Sequence, residues 1–554
     1  MENLKHSVLI RSILLIGVPL ASLIMLPEFS MDPINVPKAF VLHLVGVFGL
    51  GLLISNAKLL WGKRSRPVFI VVAFFILFLF SAFLFSGAPK IQQMYGAGGR
   101  ATGLISYLAL VVLLLCAMLI SNISNVKLFA FAILGVGGLN VFYGLIQASG
   151  GDPVKWSNPY SPVIGFLGNP NFSSSMIGLS CVAATALILQ FKVSKLAIAA
   201  LFGYELLALF VILKTQSIQG FVVFGLTTGI LVLIALYKSE KVKNIWVGIY
   251  AAFATVIGVT AVFGMVNIGP LSAYLYKVSV RQRGYYWNAG IEMLKANPIF
   301  GIGLDSYGDW YWGVRSAPAA LNSLNANTNS AHNVYIDIAS NGGFPLLIAY
   351  LVLNGLVLFR GIKHIKNSPT FDPYFSAIFV GWIGYQAQSF ISINQLGLAV
   401  WGWLFGGLIL GYSFIDSKLA TQGKGLKKNA NKSSLQDLAI PSIVSILGIS
   451  MVAPAFFTDH TFITALKSRS SEQVMAATQK FPKSNSRNLT AAQLYQNSQL
   501  NAEAISIAED NVKINPRDFN SWRMIAILSP VDSEKAKNAV AQMKKLNPRD
   551  KSIK

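Results

Sequence analysis

The residues best suited to chemistry lie between positions 281 and 345. His332, one of five histidines, sits in Ala331-His332-Asn333-Val334-Tyr335, and Asn341-Gly342-Gly343-Phe344-Pro345 follows. Upstream, Arg283-Gly284-Tyr285-Tyr286-Trp287-Asn288-Ala289-Gly290-Ile291 leads into Asn297-Pro298-Ile299-Phe300-Gly301-Ile302-Gly303. A histidine of near-neutral pKa can take a proton from an attacking hydroxyl, and arginines can hold a phosphate through paired donors. The spacing predicts an amphipathic helix over 283–296 lying along a membrane interface, with Arg283 and Trp287 one turn apart. Pro298 stops it, and the glycines beyond permit a tight turn. Lys277, Arg281, Arg283, Lys295 and Arg315 gather within the loop 268–343, which points to an anionic ligand. A solvated basic loop is the plainer alternative.

A membrane must hold these residues in place. The chain of 554 residues is 54% hydrophobic and only 12% charged, against about 25% charged in a soluble domain. One soluble core cannot absorb that excess, and disorder goes with low hydrophobicity, which leaves a polytopic membrane protein. About thirteen apolar runs approach the length of roughly 20 residues that a span requires. They lie near 8–27, 37–56, 67–87, 103–121, 127–148, 172–190, 195–213, 219–237, 245–267, 344–361, 373–392, 396–414 and 439–457. The first has a long apolar core and no clear cleavage site, so it reads as a span and not as a signal peptide. Cys116 and Cys181 both lie in apolar runs, which leaves no disulfide framework or cysteine zinc site.

The loops alternate in charge. Lys58, Lys63, Arg64 and Arg66 begin one set, which continues through Lys192 and Lys195, Lys238 to Lys243, Arg360 to Lys366 and the 418–432 stretch. The loops at 28–36, 149–171 and 393–395 hold Lys155 as their only basic residue. The positive-inside rule then puts the N-terminus in the cytoplasm, and the long loop 268–343 and everything after 457 outside. The net charge of +23 is therefore mostly topological, and nucleic acid is not an expected partner.

After 457 the composition turns polar and helix-rich. Asn-Pro-Arg-Asp occurs at 515–518 and again at 547–550, each after a helical pattern containing Ala and Lys. This resembles tetratricopeptide repeats, whose period is about 34. The expected organisation is a transmembrane domain over 1–457 and an extracytoplasmic helical domain over 458–554. That tail would bind a protein partner or present an acceptor, with a purely structural cap as the alternative. The fold class expected is all-α, with about 13 membrane helices, a long external loop and a small repeat tail.

The pattern Arg283-x-x-x-Trp287, Pro298-x-x-Gly301-x-Gly303, then His332-Asn333 and Gly343, resembles the O-antigen ligase and O-antigen polymerase superfamily. Gly96-Ala-Gly-Gly-Arg100-Ala-Thr-Gly103 is similar to that family's external G…R-x-x-G turn, and Tyr143-Gly144-Leu145-Ile146-Gln147 and Gly168-Asn169-Pro170-Asn171 also fit. The likeness covers roughly residues 30–415. It implies a glycosyltransferase of the cytoplasmic (inner) membrane that moves a glycan from undecaprenyl pyrophosphate onto a glycan, lipid or protein acceptor in cell-surface polysaccharide biosynthesis. By the same resemblance His332 activates the acceptor and Arg283 engages the pyrophosphate, whose developing charge guanidinium groups stabilise. Arg100 joins them, with Arg281, Lys214, Asn333 and Trp287 as further substrate-binding candidates. The lipid pyrophosphate already activates the sugar, and the external loops lack an Asp-x-Asp pair, so neither a cofactor nor an essential metal is expected.

One departure separates this chain from many relatives. Where they carry an arginine in an S-R-G pattern, this loop reads Lys214-Thr215-Gln216-Ser217-Ile218-Gln219-Gly220. Lys214, Arg100 or Arg281 would have to supply the second charge, which favours a polymerase-like or divergent member over a strict lipopolysaccharide ligase. Glu205 and His43 are intramembrane ionisables, either lining a lipid-access cavity or making interhelical hydrogen bonds. Gln386, Gln388 and Asn394 read as helix-bridging amides, and Trp156, Tyr160, Trp310, Tyr311 and Trp312 as an interfacial belt. The rival classes are a transporter or flippase of lipid-linked glycans, which would show inverted repeats, and a non-catalytic scaffold.

Overall fold

The computed structural model describes residues 4–156, 161–190, 193–322, 327–412 and 438–553, so the 418–432 stretch, Lys192 and Tyr160 lie outside the described residues. Among the described residues the chain is helical, with no strand. Each of the thirteen apolar runs forms a helix. They are α1 (Ser7–Leu23), α2 (Asn35–Ser55), α3 (Arg66–Phe85), α4 (Leu104–Ile120), α5 (Ile123–Ala148), α6 (Pro170–Leu189), α7 (Lys195–Lys214), α8 (Gln219–Tyr237) and α9 (Asn244–Met265). After α10 (Val278–Ala296) and α11 (Tyr307–Val314) come α12 (Val334–Asn367), α13 (Pro373–Ser389), α14 (Leu396–Tyr412) and α15 (Ala439–Ser468). Among the described residues nine helices are long and apolar enough to cross a membrane. The remaining four of the thirteen, α1, α4, α13 and α14, have 17 residues each.

Burial sorts the helices by position. Every residue of α14 is buried, and nearly all of α4, so these two form the centre of the bundle. Glycines allow their backbones to meet: a Cβ on Gly407 or Gly411 would fall 2.2 Å from the Leu114 carbonyl oxygen or 2.1 Å from that of Met118. At the other extreme α9 buries only Gly264 and leaves Phe253, Val256 and Val262 more than half exposed. A contiguous apolar face of that kind is costly in water, and lipid is the solvent that fits it. The two intramembrane ionisables are both partnered across helices. His43 Nε2 lies 2.8 Å from Ser106 Oγ, and Thr185 Oγ1 donates to Glu205 at 2.6 Å.

At one end of the bundle the chain builds a platform. The Pro298–Gly303 segment straps across the first turns of α12: Ile302 N donates to Ser340 O at 2.9 Å, Gly303 N to Asn341 O at 3.1 Å, and Phe344 N to Pro298 O at 2.8 Å. The strap fits because α12 is broken at Gly343, whose φ of 77° is left-handed and whose Cβ would fall 2.4 Å from the Ile299 oxygen. Gly343→Ala therefore adds about 1–3 kcal/mol of backbone strain to a collision with main chain. We expect a lower melting midpoint for the detergent-solubilised protein; an unchanged melting curve would mean that the break is dispensable.

The tail continues from α15 as α16 (Ser471–Thr478), α17 (Asn485–Asn497), α18 (Asn501–Ile514), α19 (Phe519–Leu528) and α20 (Glu534–Leu546). Small and apolar faces close its core, with Phe462, Ala491, Tyr495, Ile507 and Ala508 buried together. The two Asn-Pro-Arg-Asp copies occupy equivalent places: each Asn amide bonds back into the helix before it, and each Asp amide bonds to that Asn carbonyl. The tail is fastened to the platform. Asp459 accepts from Met31 N at 2.8 Å and pairs with Arg487 at 3.6 Å, while the Arg517 guanidinium lies 3.6 Å over the Trp310 ring. Trp312 stacks edge-on against Phe519 at 4.5 Å. The two tryptophans read as membrane-belt residues thus hold the tail.

Candidate functional site

His332 stands in the loop entering α12 with a φ of 54°, a conformation that costs a non-glycine residue roughly 1–2 kcal/mol. Its neighbours hold it there. Ser330 Oγ accepts from His332 N at 2.9 Å and donates to Asp337 Oδ2 at 2.6 Å, and Ala331 N donates to Asp337 Oδ1 at 2.7 Å. Asn333 Oδ1 caps α12 by accepting from Tyr335 N and Ile336 N at 3.0 and 3.1 Å. That oxygen is committed to the cap, which leaves the Asn333 amide nitrogen as what the residue can offer a ligand.

Arg100 comes from the other side of the platform. Its Nη2 lies 3.8 Å from Asp337 Oδ2, with the two side chains 5% and 4% exposed. The turn that carries it is pinned by Asp305, whose Oδ2 accepts from Ala97 N at 2.7 Å and Thr102 N at 3.1 Å. Arg100 Nε and Nη1 are buried and bond to nothing among the described residues. Such donors are costly to leave unmet unless a ligand meets them. Arg283, in the second turn of α10, shows the same feature at Nε among the described residues, while its Nη1 reaches the Ser279 carbonyl at 3.5 Å. Burial lowers its pKa, yet an arginine remains charged.

Burial first, then the Arg283 and Arg100 charges, push the His332 imidazole down to about 3. The ring is therefore neutral, with a lone pair for a proton. It lies 5.4 Å from the Tyr286 ring and lines a pocket of about 340 Å3 with Asn327, Thr328 and Asn329. Trp287 packs edge-on against Phe390 at 5.7 Å, with its indole N–H buried and unpartnered among the described residues.

The structure thus joins His332, Arg100, Arg283 and Asn333, with Trp287 beside them. Arg281 is exposed, two residues before Arg283. Lys214 is exposed at the end of α7, its ammonium 5.3 Å from the Phe210 ring, and among the described residues no contact ties it to His332. The loop after it is held by neutral groups instead: Ser217 Oγ donates to Asn171 at 2.8 Å, and Ser175 Oγ to Gln219 at 3.4 Å. Gln386 bridges helices, accepting from Tyr335 and donating to Asn354. The residues that motif reading missed are Asp337, Ser330 and Asp305. An acidic residue one turn into the helix that follows His332-Asn333 was the available signal for the first of these.

A polytopic helical bundle carrying a histidine and two anion-seeking arginines on one face fits the membrane-embedded glycan-processing class that the motifs resemble. Residues 203–351 match the family model described as O-antigen ligase, which takes in Arg283, Trp287, His332, Asn333 and Gly343 and bears out the resemblance to that superfamily. The exopolysaccharide production protein ExoQ of Rhizobium meliloti (strain 1021) is 22% identical over 369 residues, 64% of this chain and 79% of the relative.

Proposed function

We propose that the protein transfers a glycan from undecaprenyl pyrophosphate to an acceptor hydroxyl on the outer face of the cytoplasmic membrane, the face that carries the platform and a tetratricopeptide-like tail. The observation that carries this reading is the pair of guanidinium groups with buried, unmet donors beside a neutral histidine. The acceptor oxygen attacks the anomeric carbon while its proton passes to His332. The bond from that carbon to the pyrophosphate oxygen breaks, and its electron pair leaves on the pyrophosphate, held by Arg100 and Arg283. An imidazole depressed to about 3 is a weak base in the empty site. Negative charge bound at the two arginines raises it, so the base strengthens when the donor is in place.

The test is complementation of a strain lacking the gene. With Arg283→Ala at wild-type membrane level, surface glycan disappears from the gel ladder and lipid-linked glycan accumulates on the outer leaflet. An intact ladder removes Arg283 from the donor site; accumulation confined to the inner leaflet favours the transporter reading instead.

A further inference from the structure

A second cavity, of about 670 Å3, opens beside the His332 pocket and is enclosed jointly by the membrane bundle and the tail. Val36, Phe40, Val452 and Phe456 give it an apolar floor where the first turns of α2 meet the middle of α15. Its walls are amides and hydroxyls, among them Gln92, Ser484, Asn485 and Asn520, together with the Gly96–Gly99 turn. Asn327 and Asn329 line both this cavity and the pocket of His332, so the two adjoin there.

Charge sorts what each part accepts. Asp32, Asp305, Asp309, Asp459 and Asp518 line the large cavity against Lys483 and Arg487, and Arg487 is already paired with Asp459 at 3.6 Å. That wall repels a pyrophosphate, which Arg100 and Arg283 attract. A neutral, hydroxyl-rich ligand meets no such penalty, and mixed amide, carboxylate and aromatic surfaces offer it both donors and acceptors. The volume falls within the range of about 300–1,000 Å3 usual for small-molecule sites, enough for a short oligosaccharide.

We propose that this cavity binds the acceptor glycan, an uncharged oligosaccharide that passes between α17, α19 and the Gly96–Gly99 turn and presents its terminal hydroxyl past Asn327 and Asn329 to His332. The tail is then part of the substrate site. The assignment rests on the transferase reading of His332, and the experiment separates the two.

Full-length protein in nanodiscs is titrated with oligosaccharide freed from the host's own lipid-linked glycan by mild acid, with binding read by saturation-transfer NMR. Asn520→Trp and Ser484→Trp fill the cavity from the tail. Ile527→Trp, at a 60% exposed position of α19 outside the cavity, controls for the tryptophan itself. Wild type, His332→Asn and Ile527→Trp bind alike, whereas the two cavity variants bind at least tenfold more weakly at wild-type membrane level. Equal binding by the cavity variants, or none by wild type, overturns the site. In transfer assays the cavity variants raise the acceptor KM and leave the donor KM unchanged; a rise in the donor KM alone assigns the cavity to the donor's glycan and overturns the acceptor assignment. Failure of the role given to His332 is distinct, since it shows as full transfer by His332→Asn.

Discussion

His332→Asn lowers the rate of glycan transfer by about 10²–10⁴, the usual contribution of a positioned general base, while the protein reaches the membrane at its normal level. Asparagine is the informative replacement because it tolerates the left-handed backbone that His332 adopts at φ 54°. Alanine would confound lost chemistry with strain. The pH dependence carries a second signature. Burial and the two arginines hold the free imidazole down to about 3, so kcat/KM, which reports the free enzyme, has no acid limb at the ordinary histidine value near 6.5. Bound pyrophosphate offsets the guanidinium charges and raises the imidazole, so kcat, which reports the complex, loses activity at a higher pH than kcat/KM does. Replacing Arg283 with Gln removes one of the depressing charges and moves the kcat/KM limb upward. Coincident limbs near pH 6.5 in wild type would count against the site as drawn, and full activity of His332→Asn would remove the base altogether.

Local signals were legible where they were repeated along the chain. Apolar runs at span length located all thirteen bundle helices, because each must satisfy its own backbone in lipid and carries that demand in its composition. Boundaries shifted where something other than lipid extends a helix: α10 begins at Val278 and not at 283, and α15 runs on to Ser468 because its last turns belong to the tail core. The glycines at 301 and 343 were readable as turns, but not as two sides of one strap, since that pairing is tertiary. Asp337 escaped notice for the same reason. The charge it answers is Arg100, more than two hundred positions earlier, and a search for cations around an anionic ligand passes over the acid that positions them. Trp310 and Trp312 looked like belt residues because aromatic composition does not reveal that Arg517 and Phe519 wait for them.

Arg100 bears two loads, and substitution can separate them. It is the counter-charge to Asp337, with both side chains nearly buried at 3.8 Å, and it offers two unmet donors to a ligand. Removing one partner of a buried pair costs about 3–5 kcal/mol, because the other charge stays buried and uncompensated. Arg100→Ala therefore lowers the amount of folded protein in the membrane and abolishes transfer, a result that by itself does not distinguish structure from catalysis. Arg100→Lys does distinguish them. An ammonium still neutralises Asp337, so the membrane level returns, but a point charge lacks the fork that grips two phosphate oxygens at once. We expect transfer at a tenth of wild type or less, with the donor KM raised and the acceptor KM unchanged. Wild-type transfer and donor KM in Arg100→Lys would restrict Arg100 to holding Asp337, and would leave Arg283 as the group that meets the pyrophosphate.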